Sequence, residues 1–82
     1  MARKLEVGDR VLCRFFNAPD NKFYGDYLTA TIVEIDNYYE FASYYNPIIE
    51  TGYFVKFDEH RPDLWLHRKE IKRRLKDGKS NG

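Results

Sequence analysis

Apolar and polar positions along this chain alternate in short runs of period two, and long stripes of period 3.6 are scarce. In residues 11–16, Val11, Cys13 and Phe15 fall on one side of an extended segment, with Leu12, Arg14 and Phe16 on the other. The turn Val7-Gly8-Asp9-Arg10 leads into it. Residues 17–26 (NAPDNKFYGD) mix Pro, Gly, Asn and Asp and read as a loop. Residues 27–36 (YLTATIVEID) are rich in β-branched side chains and predict a second, longer strand. Alternation returns in residues 53–58 (YFVKFD), where Tyr53, Val55 and Phe57 share a face. A turn centred on Pro62, a short strand at 64–66, a single helical turn over 67–71 and a last short strand at 72–75 complete the pattern.

This pattern predicts an all-β fold, a small five-stranded antiparallel barrel with a short C-terminal helical turn. Closing the sheet removes the exposed edges that a small domain tolerates poorly. The barrel is expected over residues 5–75, with 76–82 a basic, disordered tail. Between strands two and three lies an aromatic-rich insertion, DNYYEFASYYNPIIETG, holding Tyr38, Tyr39, Phe41, Tyr44 and Tyr45. A short amphipathic helix there is the alternative. Tyr38, Phe41 and Tyr45 are spaced i, i+3, i+7, Glu40 follows Asn37 at capping-box distance, and Pro47 would end it. So many rings cannot all stay exposed. The expected arrangement packs Tyr38, Phe41 and Ile48 on the barrel and leaves Tyr39 and Tyr44 bordering a groove with Glu40 and Glu50. Packing of every ring is the simpler alternative.

Composition narrows the class. The chain has 82 residues, 43% hydrophobic and 33% charged, enough for one thin core. It holds no run of about 18 apolar residues, so no membrane span is expected. MARKLEVGDR is charged from its start and does not read as a secretory signal. A single cysteine excludes an internal disulfide and suits an intracellular protein. The net charge of +1 conceals an asymmetry. Residues 68–79 carry seven Lys or Arg against Glu70 and Asp77, a balance of +5, while residues 1–67 stand at −4. An acidic body attracts cationic partners. Arg68, Lys69, Lys72, Arg73, Arg74 and Lys76 could contact DNA or RNA, serve as a nuclear-localisation patch, or simply form a solvated end.

Catalytic readings find little support. Cys or His pairs at metal-ligand spacing are missing, and no metal or cofactor is expected. Cys13, on an alternating strand, reads as a small core residue rather than a nucleophile. Neither serine lies in a nucleophile motif, and the glycines are too scattered to cradle a phosphate. Binding is the expected class, with a purely structural protein-interaction module as an alternative.

The order VGDRVLCRF, YLTATIVEID, YFVKFDEH and DLWLHRKEI resembles the Tudor-like, or royal, superfamily, which includes Tudor, chromo-barrel and Agenet modules. The similarity spans roughly residues 5–74. It implies an SH3-like barrel, a nuclear, chromatin-associated role within a larger protein or complex, and recognition of methylated lysine or arginine in a basic peptide such as a histone tail. In that family a cage of ring faces attracts the poorly hydrated methylated cation. Carried onto this chain, the resemblance places the cage on Phe15 and Phe57. His60 stands where another ring is common. Leu28 stands where a tyrosine is usual, so that Tyr27 would substitute through a one-residue bulge, with Phe23 or Tyr24 contributing from the first loop. Asp58 and Glu59 would supply charge. Phe57 fits a core position equally well, and Trp65 reads as a packing residue.

Overall fold

The computed structural model describes residues 4–17, 19–42 and 46–75. Five strands form one antiparallel sheet: β1 (Arg10–Asn17), β2 (Lys22–Phe41), β3 (Ile48–Phe57), β4 (Leu64–His67) and β5 (Ile71–Arg74). A 3₁₀ turn, Arg68–Glu70, joins β4 to β5 and is the helical turn expected near this point. The strand order is β4-β3-β2-β1-β5, so β4 and β5 are the ends of the ladder and the hydrogen-bonded sheet is not closed.

The core lies on one face. Register places Val11 opposite Ala30 and Ala30 opposite Phe57, while Ile35, Tyr53 and Leu66 form a second cross-strand row. Val11, Ala30, Ile32 and Val55 are wholly buried, and Leu5, Cys13, Tyr53, Phe57, Leu66 and Ile71 close around them. The lead-in turn is tied to this core through the backbone. Asp9 Oδ2 accepts the Glu6 N–H at 2.8 Å, Gly8 takes φ +98°, and Gly8 N–H donates to Ile32 O at 2.7 Å. A positive φ of that size is cheap only for glycine.

Two expectations change at β2. Residues 22–26, read as loop, are strand, because Phe16 and Asn17 find partners in Phe23 and Lys22 across the hairpin. The insertion also continues the β2–β3 hairpin: Tyr39, Glu40 and Phe41 pair with Glu50, Ile49 and Ile48. A helix would bear its nucleation cost alone, whereas strand residues here add to an existing ladder and use β-favouring Tyr, Phe and Ile.

The packing expected of the insertion is met at one of its three residues. Phe41 is buried, but Tyr38 is 82% exposed and Ile48 43%. For Tyr38 the cause is a bulge. Asp36 pairs with Gly52 and Tyr39 with Glu50, so β2 spends one more residue than β3 over this interval. Asp36 Oδ1 accepts the Tyr38 N–H at 2.9 Å, which stabilises the kink. One extra residue exchanges the two faces of a strand, and here it turns Tyr39 onto the sheet and Tyr38 away from it.

Tyr39 lands over Gly52. A β-carbon on Gly52 would stand 2.8 Å from Tyr39 Cβ and 3.1 Å from the Trp65 ring. Gly52→Ala is therefore expected to separate the stacked Tyr39 and Trp65 rings and to destabilise the domain by about 1–3 kcal/mol. Urea unfolding checks this, and an unchanged midpoint would contradict it.

Candidate functional site

Phe15 lies near the end of β1, on the core face and packed against the core. Between Cys13↔Leu28 and Phe15↔Tyr24, β1 advances two residues and β2 four. An irregularity therefore does fall beside Leu28, but it brings Tyr24 rather than Tyr27 opposite Phe15. The two rings lie 5.8 Å apart between centroids, and Phe57 meets Phe15 edge-on at 5.9 Å. These three rings are the part of the expected cage that the fold assembles. They differ in access: Phe57 is 4% exposed and a core residue, Phe15 is half-buried, and Tyr24 is 54% exposed. The cluster opens to solvent at its Tyr24 side.

A cation already lies at this cluster. The Arg61 guanidinium carbon is 5.7 Å from the Phe15 centroid and 5.4 Å from that of Phe57. Its Nε–H donates to Glu59 Oε2 at 2.7 Å, and Nη2 reaches the same oxygen. Sequence reasoning missed Arg61. The available signal was a cation placed four residues after Phe57 in the turn that also carries Glu59.

The remaining candidates lie elsewhere. Tyr27 has Arg14 over its ring at 5.3 Å, and Arg14 Nε–H donates to Gly25 O at 2.9 Å. His60 is exposed and makes no ring contact among the described residues. Asp58 is engaged: its two oxygens accept from Arg10 Nη1 and Nη2, each at 2.5 Å, and Oδ2 also accepts from Thr29 at 2.6 Å. The Arg10 hydrogen bonds foremost, then that of Thr29, lower its pKa from 3.8 to about 2. Of the two acids, only Glu59 is coupled to the rings, through Arg61.

A second aromatic array covers the opposite face of the sheet, because Phe54 and Trp65 alternate with the core residues Tyr53 and Leu66. Trp65 lies 5.1 Å from Phe54 and stacks on Tyr39 at 4.3 Å. Phe41 follows at 4.7 Å from Tyr39, and the His67 ring stacks on Phe41 at 3.7 Å. His67 Nδ1–H donates to Glu50 Oε2 at 2.7 Å. Tyr39, expected to border a groove, is thus a packed member of this array. Tyr44 lies outside the described residues.

Among the basic candidates, Arg68 Nη1 donates to Ile71 O at 2.9 Å and Lys69 Nζ sits 4.4 Å above the Phe16 centroid. Lys72, Arg73 and Arg74 are exposed along the edge strand β5, while Lys76 and the rest of 76–82 lie outside the described residues. Cys13 is buried with its thiol donating to Leu28 O at 3.4 Å. Burial, with the Glu70 charge adding to it, pushes its pKa up to about 11, so the thiolate is suppressed near neutrality. Among the described residues, no group of three or more His, Cys, Asp or Glu could hold a metal, and no helix is long and apolar enough to cross a membrane. No family model, curated protein or solved structure matches the chain.

The Asp58 pairing carries a pH signature. A carboxyl held at about 2 when folded and near 3.8 when unfolded stabilises the fold above 3.8, and that contribution fades as pH falls toward 2. Asp58→Asn should therefore lower the melting temperature at neutral pH. Its deficit relative to the native chain should shrink steadily below about pH 4. Thermal melts at a series of pH values test this, and a deficit independent of pH would contradict it.

Proposed function

We propose that this domain is a non-enzymatic, chromatin-associated reader of the Tudor-like class. Its ligand is a basic peptide, such as a histone tail, held by a methylated lysine or arginine at Phe15, Tyr24 and Phe57. The observation that carries the reading is the ring cluster with a guanidinium over two of its members and Glu59 beside it. A site that accommodates one cation against ring faces, next to a carboxylate, has the chemistry to accommodate another. The strand order β4-β3-β2-β1-β5, with a single 3₁₀ turn between β4 and β5, supports reading the sheet as a five-stranded SH3-like barrel. The proposed setting is nuclear, within a larger protein or complex, and no cofactor takes part.

Nucleic-acid contact through the C-terminal segment is the second reading, favoured by Lys72, Arg73 and Arg74 standing exposed on an edge strand. Binding of that kind weakens steeply with salt.

An NMR titration with unmodified and trimethyl-lysine peptides, then with a short DNA duplex at two salt concentrations, separates the two. The peptide reading expects shifts at Phe15, Tyr24, Phe57 and Glu59 that are larger for the methylated peptide. Tyr24→Ala, at an exposed position, should weaken that binding by roughly 2- to 30-fold while leaving the fold intact. Shifts confined to β5, produced by DNA and lost with salt, would overturn it.

A further inference from the structure

The place over Phe15 and Phe57 where a ligand cation would sit is held by the chain's own Arg61. Three features keep it there. The guanidinium stands within cation–π range of both rings, at 5.7 and 5.4 Å. Glu59, two residues earlier, accepts from its Nε–H at 2.7 Å and also pairs with Nη2. Pro62 follows directly and restricts the Arg61 backbone to extended conformations. The arrangement is nevertheless open to exchange, since the side chains of Arg61 and Glu59 are 35% and 53% exposed.

We propose that Arg61 is an internal occupant of this site, a built-in competitor that an incoming cation must displace. The inference rests on the reader reading of Phe15, Tyr24 and Phe57. Because Arg61 shares a chain with the rings, it competes at a high effective concentration set by the short tether. A lone cation that offers nothing beyond ring contact gains little from the exchange. A cation carried on a peptide also makes contacts around the rim, at Tyr24 among others, and these tip the exchange in its favour. Arg61 therefore lowers the apparent affinity of every ring-seeking cation by one common factor, and only a ligand that adds rim contacts still binds at modest concentration. No bond is made or broken. A docked side chain swings out, and its guanidinium, with or without Glu59, enters solvent.

The test uses the native chain and Arg61→Gln, which removes the charge at an exposed position while keeping most of the stem. Two probes are titrated at constant ionic strength: tetramethylammonium chloride, and a short basic peptide carrying trimethyl-lysine. In the free native chain the Arg61 side-chain protons should be shifted upfield by the two rings, and they should return toward random-coil positions as peptide saturates. Arg61→Gln should tighten tetramethylammonium and peptide binding by similar factors, roughly 2- to 30-fold. Native Arg61 protons at random-coil positions would overturn the inference whatever binds. So would peptide binding by the native chain with no gain for either probe in Arg61→Gln, and in that case the reader reading would stand. Failure of both chains to bind peptide would overturn the reader reading itself, and the inference with it.

Discussion

Glu70 sets one carboxylate oxygen on the His67 N–H at 2.9 Å and the other on the Phe16 N–H at 3.0 Å, in a position only 8% exposed. A buried carboxylate is costly unless its lone pairs are used, and here two backbone donors from distant parts of the chain use them. One bond closes the turn between β4 and β5. The other fastens that turn to the end of β1, across 54 residues of sequence. β5 is then delivered alongside β1, where Leu75 N–H donates to Arg10 O at 2.7 Å. The site depends on the same clamp. Phe15 directly precedes the anchored Phe16, so the backbone that presents its ring is held by a charge in the corner of the fold. The same charge helps to keep the Cys13 thiol protonated.

The sheet serves two apolar layers. Its inner face carries the aliphatic core, and its outer face carries the row Phe54, Trp65, Tyr39, Phe41 and His67. The strands can have both because β2 departs from regular pairing twice against β3, between Ile32 and Glu34 and between Asp36 and Tyr39. Each departure inserts one residue and reassigns every later side chain to the other face. Gly52 is the matching concession on β3, since a side chain there would occupy the space of the Tyr39–Trp65 stack.

Alternation in β1 and β3, β-branched content in β2 and the turn residues around Pro62 were enough to place part of each of the five strands, because residues such as Val11, Cys13, Val55 and Phe57 point inward without interruption. They were not enough at the bulges. Nothing in DNYYEFASYYN marks which residue is surplus, and a slip of one position decides whether Tyr38 or Tyr39 meets the sheet. The cage candidates divide on the same ground. The resemblance named Phe15 and Phe57, and alternation put both on the core face. The choice of Tyr24 over Tyr27 depends on how many residues β2 spends around Gly25, and strand propensity does not encode that number. Asp58 and Glu59 look equivalent in sequence. They separate because Arg10, 48 residues away, takes the first, while Arg61 takes the second.

The outer aromatic row also gives the molecule an optical handle. Trp65 is its one tryptophan, and it lies nearly parallel to Tyr39, at 18° between ring planes. Its emission and near-ultraviolet dichroism therefore report on the seating of the β2–β3 hairpin rather than on Phe15, Tyr24 and Phe57 across the sheet. Unseating the hairpin would change the light the protein emits, while exchange of a cation on the other face would leave that signal dark to the event.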